Sequence, residues 1–160
     1  MLAASGCNVV MVERHPVLQL LLHDALRRLK TQKPLLFSRL SLLPMDSCSS
    51  LSSADHSADV VYIDPMYPAE KVGRKSLVKK ETQILHHLLG HCEGSDDTNN
   101  ARLLATALTI ATERVVVKRP LRSENLAGAH PHSSLVGSTH RFDCYMKSHK
   151  IKYAAKGNIL

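Results

Sequence analysis

Short apolar runs alternate with longer segments of helical periodicity along most of this chain. Runs rich in Val, Ile and Leu predict strands at residues 8–13, the later half of 35–43, 59–63 and 114–118. Apolar residues spaced three and four apart predict helices at residues 17–30, 76–89 and about 101–112. Strands that alternate with helices favour a mostly parallel sheet, because a right-handed crossover helix connects neighbouring parallel strands.

Breaks in these patterns mark where the elements begin and end. Asn99 or Asn100 is a suitable cap for the third helix, and Arg119-Pro120 is expected to stop the strand that follows it. Residues 135–136 and 142–146 form two further apolar runs. We expect these runs to pair as an antiparallel hairpin near the carboxyl terminus.

Composition and charge narrow the class of protein. The chain has 160 residues, 44% of them apolar, which suits one domain with a sizeable core, and no apolar run approaches the length of a membrane span. Its amino end lacks the basic flank of a signal peptide, and its four cysteines include no Cys-x-x-Cys pair. We therefore expect a cytoplasmic protein with reduced thiols and no membrane contact. The formal net charge of +7 suits a polyanionic partner such as RNA.

The most informative motif is Asp-Pro-Met-Tyr-Pro at residues 64–68, directly after an apolar strand. Ligands of open α/β sheets bind at the carboxyl ends of the strands. The motif therefore places an acid, a rigid turn and an aromatic ring at the binding edge. It resembles the Asp/Asn-Pro-x-Tyr/Phe motif of methyltransferases that use S-adenosylmethionine (SAM) to alkylate the exocyclic amines of bases.

Further segments extend this resemblance over most of the chain. They are residues 2–7, 12–17, 60–68, 75–81, 101–105, 114–120 and 140–143. In this order they resemble the ribosomal RNA small subunit methyltransferase J family, which methylates a guanosine of small-subunit rRNA at N2. The resemblance implies an α/β, Rossmann-like SAM-dependent fold, mostly parallel with a carboxyl-terminal antiparallel hairpin. We expect this domain over residues 1–146 and a basic tail over 147–160.

One departure from the family pattern affects the expected activity. Enzymes of this class carry a strand and a glycine-rich loop that approaches the cofactor, and in the family this element lies just before the segment found here at 2–7. No Asp/Glu-x-Gly-x-Gly-like run occurs in the 160 residues. We expect the missing strand to lie between the strands at 9–12 and 60–63, which leaves two apolar edges unpaired and this chain an incomplete, inactive form.

Acids at the ends of the strands are the candidate cofactor ligands. Glu13 ends its strand and can accept hydrogen bonds from the ribose hydroxyls of SAM, although it can also be a solvated acid before a helix. Arg14 belongs to the same matched segment. Asp46 resembles the family acid near the adenine amine, with a helix cap or an Asx turn as the alternative. Asp64 is included in the cofactor site as well as in the base site.

The candidate catalytic residues are Asp64, Pro65 and Tyr67. The Asp64 carboxylate and the Pro65 carbonyl can accept the N–H bonds of the weakly nucleophilic guanine amine and orient its lone pair. Tyr67 would stack on an exposed or flipped base. The alternative is an ordinary turn at the end of a strand, with Tyr67 in the core.

The candidate phosphate contacts are basic side chains near the same edge of the sheet. They are Lys75, Lys79, Lys80, Lys118, Arg119 and Arg122. The alternative for the helical lysines is a solvated helix face. His86, His87, His91 and Cys92 lack the spacing of a zinc site, so we expect no metal.

Three functional hypotheses follow from these residues. The first is a SAM-dependent rRNA guanine-N2 methyltransferase that acts on ribosomal RNA or the small ribosomal subunit. The second is a catalytically dead, RNA-binding relic of that family, which kept the motif and the basic surface. The third is a DNA amino-methyltransferase, which uses the same Asp/Asn-Pro-x-Tyr chemistry.

Overall fold

The computed structural model describes residues 1–48, 56–65 and 97–148, together with the backbone of 152–153. The helix predicted at 76–89 lies outside these residues. The chain divides into two units, Met1–Leu51 and Ser52–Leu160, which are described separately below. The domain boundary expected at residue 146 stays a prediction.

The first unit contains two parallel strands and the helices that connect them. In order, its elements are a 3-10 turn at Ala3–Ser5, β1 at Val9–Val12, α1 at Pro16–Gln32, α2 at Pro34–Phe37 and β2 at Leu40–Leu43. The two predicted strands and the long helix are confirmed. The short helix α2 was not predicted; Pro34 occupies its first turn, where proline is readily accommodated.

Helix α1 contacts α2 and strand β2, and none of its own residues is buried. Its side chain Leu20 is 70% exposed, and Leu21 is also exposed. Of the described residues of the first unit, only Ala3 is buried. The described part of this unit therefore has little core of its own. Since folding stability depends largely on buried apolar area, this part contributes little of it.

The second unit carries a four-stranded sheet with strand order β3-β4-β7-β6. Its elements are β3 at Ala58–Ile63, α3 at Asp97–Ile110, β4 at Ala111–Pro120, β5 at Ala129–His130, β6 at Ser133–Val136, β7 at His140–Met146 and β8 at Lys152–Tyr153. Strands β3 and β4 are parallel, whereas β7 pairs antiparallel with both β4 and β6. The predicted carboxyl-terminal hairpin is therefore confirmed.

The predicted boundaries of α3 and β4 are wrong, and β4 already begins at Ala111. Helix α3 begins at Asp97, so Asn99 and Asn100 lie inside its first turns and do not cap it. Strand β4 continues to Pro120, which pairs in register with His140. Proline has no N–H to donate, but its carbonyl oxygen still accepts a hydrogen bond from Arg141 Nη1, at 3.3 Å.

Strand β8, within the predicted basic tail, pairs with β5.

The core of the second unit lies on one face of its sheet. Val115 and Val117 of β4, with Tyr145 of β7, are completely buried there, and Leu104 of α3 belongs to the same cluster. These strand residues alternate with half-buried ones, as expected for a sheet with one covered face. The Tyr145 hydroxyl donates to the Ala129 carbonyl at 3.0 Å, so burying this phenol leaves no unpaired polar atom.

A buried ion pair connects this sheet to the turn that follows β4. Asp143 is 0% exposed and accepts hydrogen bonds from Arg141 Nε, at 2.9 and 3.1 Å, and from the Ser134 hydroxyl, at 2.6 Å. Arg141 Nη1 donates to the carbonyls of Leu121 and Ser123, both at 2.9 Å. Arg141 therefore fastens the turn after β4 to strand β7.

One edge of each parallel pair has no strand beside it within the described ranges. Strand β1 pairs with β2, and strand β3 pairs with β4, and the opposite edges of β1 and β3 carry no described partner. These are the two edges that the sequence analysis expects to be unpaired. Backbone N–H and C=O groups on such an edge can pair with a further strand.

Candidate active site

The carboxyl ends of β3 and β4 bring two charged side chains together. Ile63 lies opposite Val117 in the parallel register, so the next residues, Asp64 and Lys118, lie side by side. Lys118 Nζ donates to Asp64 Oδ2 at 3.0 Å, and the two side chains are 30% and 47% exposed. Pro65 follows directly. This edge of the sheet therefore presents a hydrogen-bonded carboxylate that solvent and ligands can reach.

Two neighbouring pKa values report the same electrostatic cluster. The hydrogen bond from Lys118 to Asp64 raises the pKa of the lysine, against the opposing effect of burial. Burial, and then the negative charge of Asp64, raises the pKa of the Tyr62 phenol, while the positive charge of Lys118 acts in the opposite direction. Lys118 is therefore a cation and Tyr62 a neutral phenol at neutral pH.

The structure contradicts the expected role of Arg119 as a phosphate contact. Side chains alternate along β4, so Arg119 points to the face opposite Lys118 and is only 7% exposed. Its guanidinium donates to the Glu124 carbonyl through Nε, at 2.9 Å, and through Nη2. We therefore assign Arg119 to holding the turn after β4. Arg122, within that turn, is exposed.

In the first unit, the predicted cofactor acids follow the two neighbouring parallel strands. The Glu13 N–H donates to the Leu43 carbonyl at 3.2 Å, which extends the β1–β2 ladder to this residue. Glu13 Oε1 accepts the His15 N–H at 2.7 Å, and its second carboxylate oxygen accepts no hydrogen bond from any residue that the structure describes. Glu13 therefore has an oxygen available for a ligand hydroxyl.

Asp46 adopts the turn geometry that the sequence left open as one alternative, and its role toward adenine stays a prediction. Its Oδ1 accepts the Cys48 N–H at 2.8 Å, which is an Asx-type turn. Its Oδ2 lies 3.4 Å from Arg14 Nη1, in an ion pair whose arginine is well exposed. Glu13, Arg14 and Asp46 are thus grouped at the carboxyl ends of β1 and β2, and their role as a cofactor site stays a prediction.

Several predicted site residues lie outside the described part of the chain. They are Tyr67, Lys75, Lys79 and Lys80, and also the histidines and the cysteine weighed as metal ligands, His86, His87, His91 and Cys92. Among the described residues, no group of three or more His, Cys, Asp and Glu side chains could hold a metal ion. No helix in the same ranges is long and apolar enough to cross a membrane.

Sequence reasoning missed two contributors to this edge of the sheet. Tyr62 lies two residues before Asp64 and so on the same face of β3; this spacing was available in the sequence. The partnership between Lys118 and Asp64 depends on the register of strands 54 positions apart, and no local pattern encodes that register.

A comparison with known protein families decides the class of this chain. Residues 1–147 match a family model described as "Putative SAM-dependent methyltransferase". The chain belongs to this methyltransferase family. Curated relatives named ribosomal RNA small subunit methyltransferase J include one from Shewanella denitrificans, 42% identical over 150 residues, and one from Haemophilus influenzae, 45% identical over 148 residues. The chain is similar to these methyltransferase J proteins over most of its own length.

The chain spans little more than half the length of these methyltransferases. The two alignments cover 92% and 91% of this chain but 58% and 55% of the relatives. Among solved structures, the chain resembles a SAM-dependent methyltransferase from Neisseria gonorrhoeae, with a TM-score of 0.71, 31% identity, and coverage of 93% of this chain and 56% of the other.

A more distant structural neighbour supports the same fold. It is an rRNA methyltransferase from Streptomyces viridochromogenes, with a TM-score of 0.52 and 15% identity, covering 88% of this chain and 66% of the other. The predicted Rossmann-like methyltransferase fold is confirmed by these neighbours.

Proposed function

We propose that this chain is part of a cytoplasmic, SAM-dependent methyltransferase that methylates the N2 amine of a guanosine in small-subunit ribosomal RNA. The observation that carries this proposal is the Asp64 carboxylate followed by Pro65, at the carboxyl end of β3, in a chain of this family. The names of the relatives support ribosomal RNA as the substrate.

Asp64 would compensate for the weak nucleophilicity of the guanine amine. The lone pair of the guanine N2 amine is delocalised into the ring, so the amine is a weak nucleophile. A carboxylate that accepts its N–H bond orients the lone pair and stabilises the positive charge that develops on nitrogen. The Pro65 carbonyl would accept the second N–H bond, and Asp64 or water takes the proton that the methylated amine releases.

The first unit offers side chains for the adenosyl part of the cofactor. Glu13 has a carboxylate oxygen for the ribose hydroxyls, and we propose Asp46, steadied by Arg14, for the adenine amine. When bound, SAM supplies a methyl group on a sulfonium sulfur, which keeps the electron pair of the broken C–S bond as the N–C bond forms. Asp64 stays a proposed contact to the cofactor as well.

The remaining residues of the proposal concern the RNA. We propose that Tyr67 stacks on the target base and that Lys75, Lys79, Lys80 and Arg122 contact phosphates. Arg119 is not retained, because its charge is buried and bonded to a backbone carbonyl.

The proposal is tested by identifying the methylated product. The protein to use is an extended protein, in which the amino-terminal segment of the Haemophilus influenzae relative precedes this chain. Incubated with methyl-labelled SAM and unmethylated small-subunit rRNA, it is expected to yield N2-methylguanosine on nuclease digestion and mass spectrometry. A label on adenine N6 would contradict the guanine assignment, and RNA binding without methyl transfer would favour the RNA-binding relic.

A polypeptide of these 160 residues alone is expected to bind SAM more weakly than about 0.1 mM, whereas the extended protein binds it at micromolar concentrations. The acids described above contact only the adenosyl part of the cofactor. No glycine-rich run in this sequence can bring backbone N–H and C=O groups against the methionine part. The unpaired edges of β1 and β3 would also favour association of the short polypeptide.

Calorimetric titration of both polypeptides with SAM checks this expectation. Light scattering of the short polypeptide before titration separates failure to bind from loss of soluble protein. Micromolar binding by the short polypeptide would show that another segment of the 160 residues closes the methionine pocket.

A further inference from the structure

We propose that Lys118 is a positioning residue for Asp64: its ammonium group holds one oxygen of the carboxylate, so that the other accepts the exocyclic amine of the target guanine. This inference rests on the proposed function and deepens it. It also replaces the phosphate-contact role expected for Lys118 from the sequence.

The first support is the difference in how firmly the two residues are held. Lys118 lies within β4, which is paired on both sides, with β3 and with β7, where Lys118 itself lies opposite Phe142. Asp64 lies one residue beyond the end of β3 and precedes Pro65. Of the two partners, the lysine backbone is the fixed one, so the ion pair restricts the carboxylate.

The second support is that the two carboxylate oxygens of Asp64 differ in their hydrogen bonding. Oδ2 accepts the hydrogen bond from Lys118 at 3.0 Å. Oδ1 accepts none from any residue in the described ranges. A lone carboxylate rotates about its Cβ–Cγ bond, whereas one fixed at Oδ2 keeps Oδ1 in a single direction. A group that must meet a base amine within a few tenths of an ångström benefits from that restriction.

The third support is the location of the ammonium charge. The Lys118 side chain is 30% exposed, and its charge interacts with Asp64 and Tyr62 on the same face of the sheet. A lysine that contacts RNA phosphates is ordinarily well exposed and pairs with the anion of the ligand. Lys118 already pairs with an anion of the protein itself, at the position where the substrate amine is expected.

Methyl transfer by the extended protein gives the first measurement. Lys118→Met is expected to lower kcat by roughly 10- to 100-fold, with the Kd for SAM and the salt dependence of RNA binding unchanged, and Lys118→Arg is expected to restore most of the loss. In an Asp64→Asn background, Lys118→Met should add little further loss, because the carboxylate it orients is already gone. Lys118→Gln serves in place of Lys118→Met if the methionine variant does not fold.

A matched control lies on the same strand. Arg114 is also on β4 and on the same face as Lys118, but at the opposite end, where it pairs with Glu113. Arg114→Met removes one positive charge, as Lys118→Met does, and is expected to leave kcat unchanged. If Lys118→Met and Arg114→Met both lower RNA affinity and reduce its salt dependence equally, Lys118 acts only as a surface charge. That result would overturn the proposal.

A binding measurement separates this proposal from the proposed function. The probes are short oligouridine RNAs that carry one central guanosine or one inosine, which lacks the 2-amino group. The extended protein, with S-adenosylhomocysteine present, is expected to prefer the guanosine RNA by roughly tenfold, and Lys118→Met is expected to lose that preference without weakening inosine binding.

Each combination of results gives a distinct answer. In one outcome, the wild-type protein transfers no methyl group to rRNA, but Lys118→Met loses the preference for guanosine over inosine. This outcome would support the positioning role and reject the proposed reaction. Methyl transfer and discrimination that both survive Lys118→Met would reject the positioning role and leave the reaction intact. A wild-type protein that neither discriminates nor transfers methyl groups would overturn both.

Discussion

Asp64→Ala is expected to lower kcat for methyl transfer by roughly 100- to 1,000-fold in the extended protein, with the Kd for SAM within a few-fold of wild type. The variant removes the acceptor that orients the guanine amine and stabilises its developing charge. It also leaves the Lys118 ammonium without the carboxylate that it contacts at 3.0 Å. The loss should therefore appear in kcat, with only a small effect on cofactor affinity.

Single-turnover methylation and calorimetric SAM titration measure the two quantities separately. Asp59→Ala is the matched control, because Asp59 is an exposed carboxylate on the same strand, β3, where it accepts a hydrogen bond from the Thr112 hydroxyl at 3.3 Å. The control should keep near-normal kcat. An equal loss of SAM affinity and turnover in Asp64→Ala would assign Asp64 to the cofactor instead of the base.

Asp143→Ala is expected to reduce the free energy of unfolding of the extended protein by about 3–5 kcal/mol. Asp143 is completely buried, and its carboxylate receives hydrogen bonds from Arg141 and Ser134. Its removal leaves the Arg141 guanidinium, 13% exposed, with no carboxylate partner, and an uncompensated buried charge is costly. The loss should exceed that from the exposed ion pairs among the described residues.

Denaturant unfolding, followed by circular dichroism, measures this effect. Glu113→Ala is the control on the same sheet, since its pairing with Arg114 is exposed and should contribute less than about 1 kcal/mol. The double variant Arg141→Met with Asp143→Leu should recover part of the loss, because it removes both charges together. A loss below about 1 kcal/mol in Asp143→Ala would show that the pair is solvated in solution.

The sequence was sufficient where a local pattern determines the element. The strand β1 and helix α1 follow from an apolar run and from helical spacing, and both were predicted to within two residues. The start of α3 was missed, because asparagine is a good cap but Asp97 begins the helix two residues earlier than Asn99. The capping preference of asparagine competes there with the packing of α3 on the sheet. The sequence pattern does not show that packing.

The charged residues show the same limit more clearly. Lys118 and Arg119 are neighbours in sequence, and the sequence predicts one role for both, yet they lie on opposite faces of β4. One pairs with Asp64 and the other with the Glu124 carbonyl. Alternation along a strand was predictable, but the identity of the covered face depends on where α3 packs, and the partners depend on register.

The register that joins Asp64 to Lys118 also determines when this edge of the sheet takes shape during folding. The β6–β7 hairpin pairs residues close in sequence, such as Leu135 with Phe142, whereas β3 and β4 meet across 54 positions. Closing so long a loop costs more entropy and is slower than forming a hairpin. We therefore expect the ion pair to be among the last contacts to form, after the hairpin, in a nascent or refolding chain.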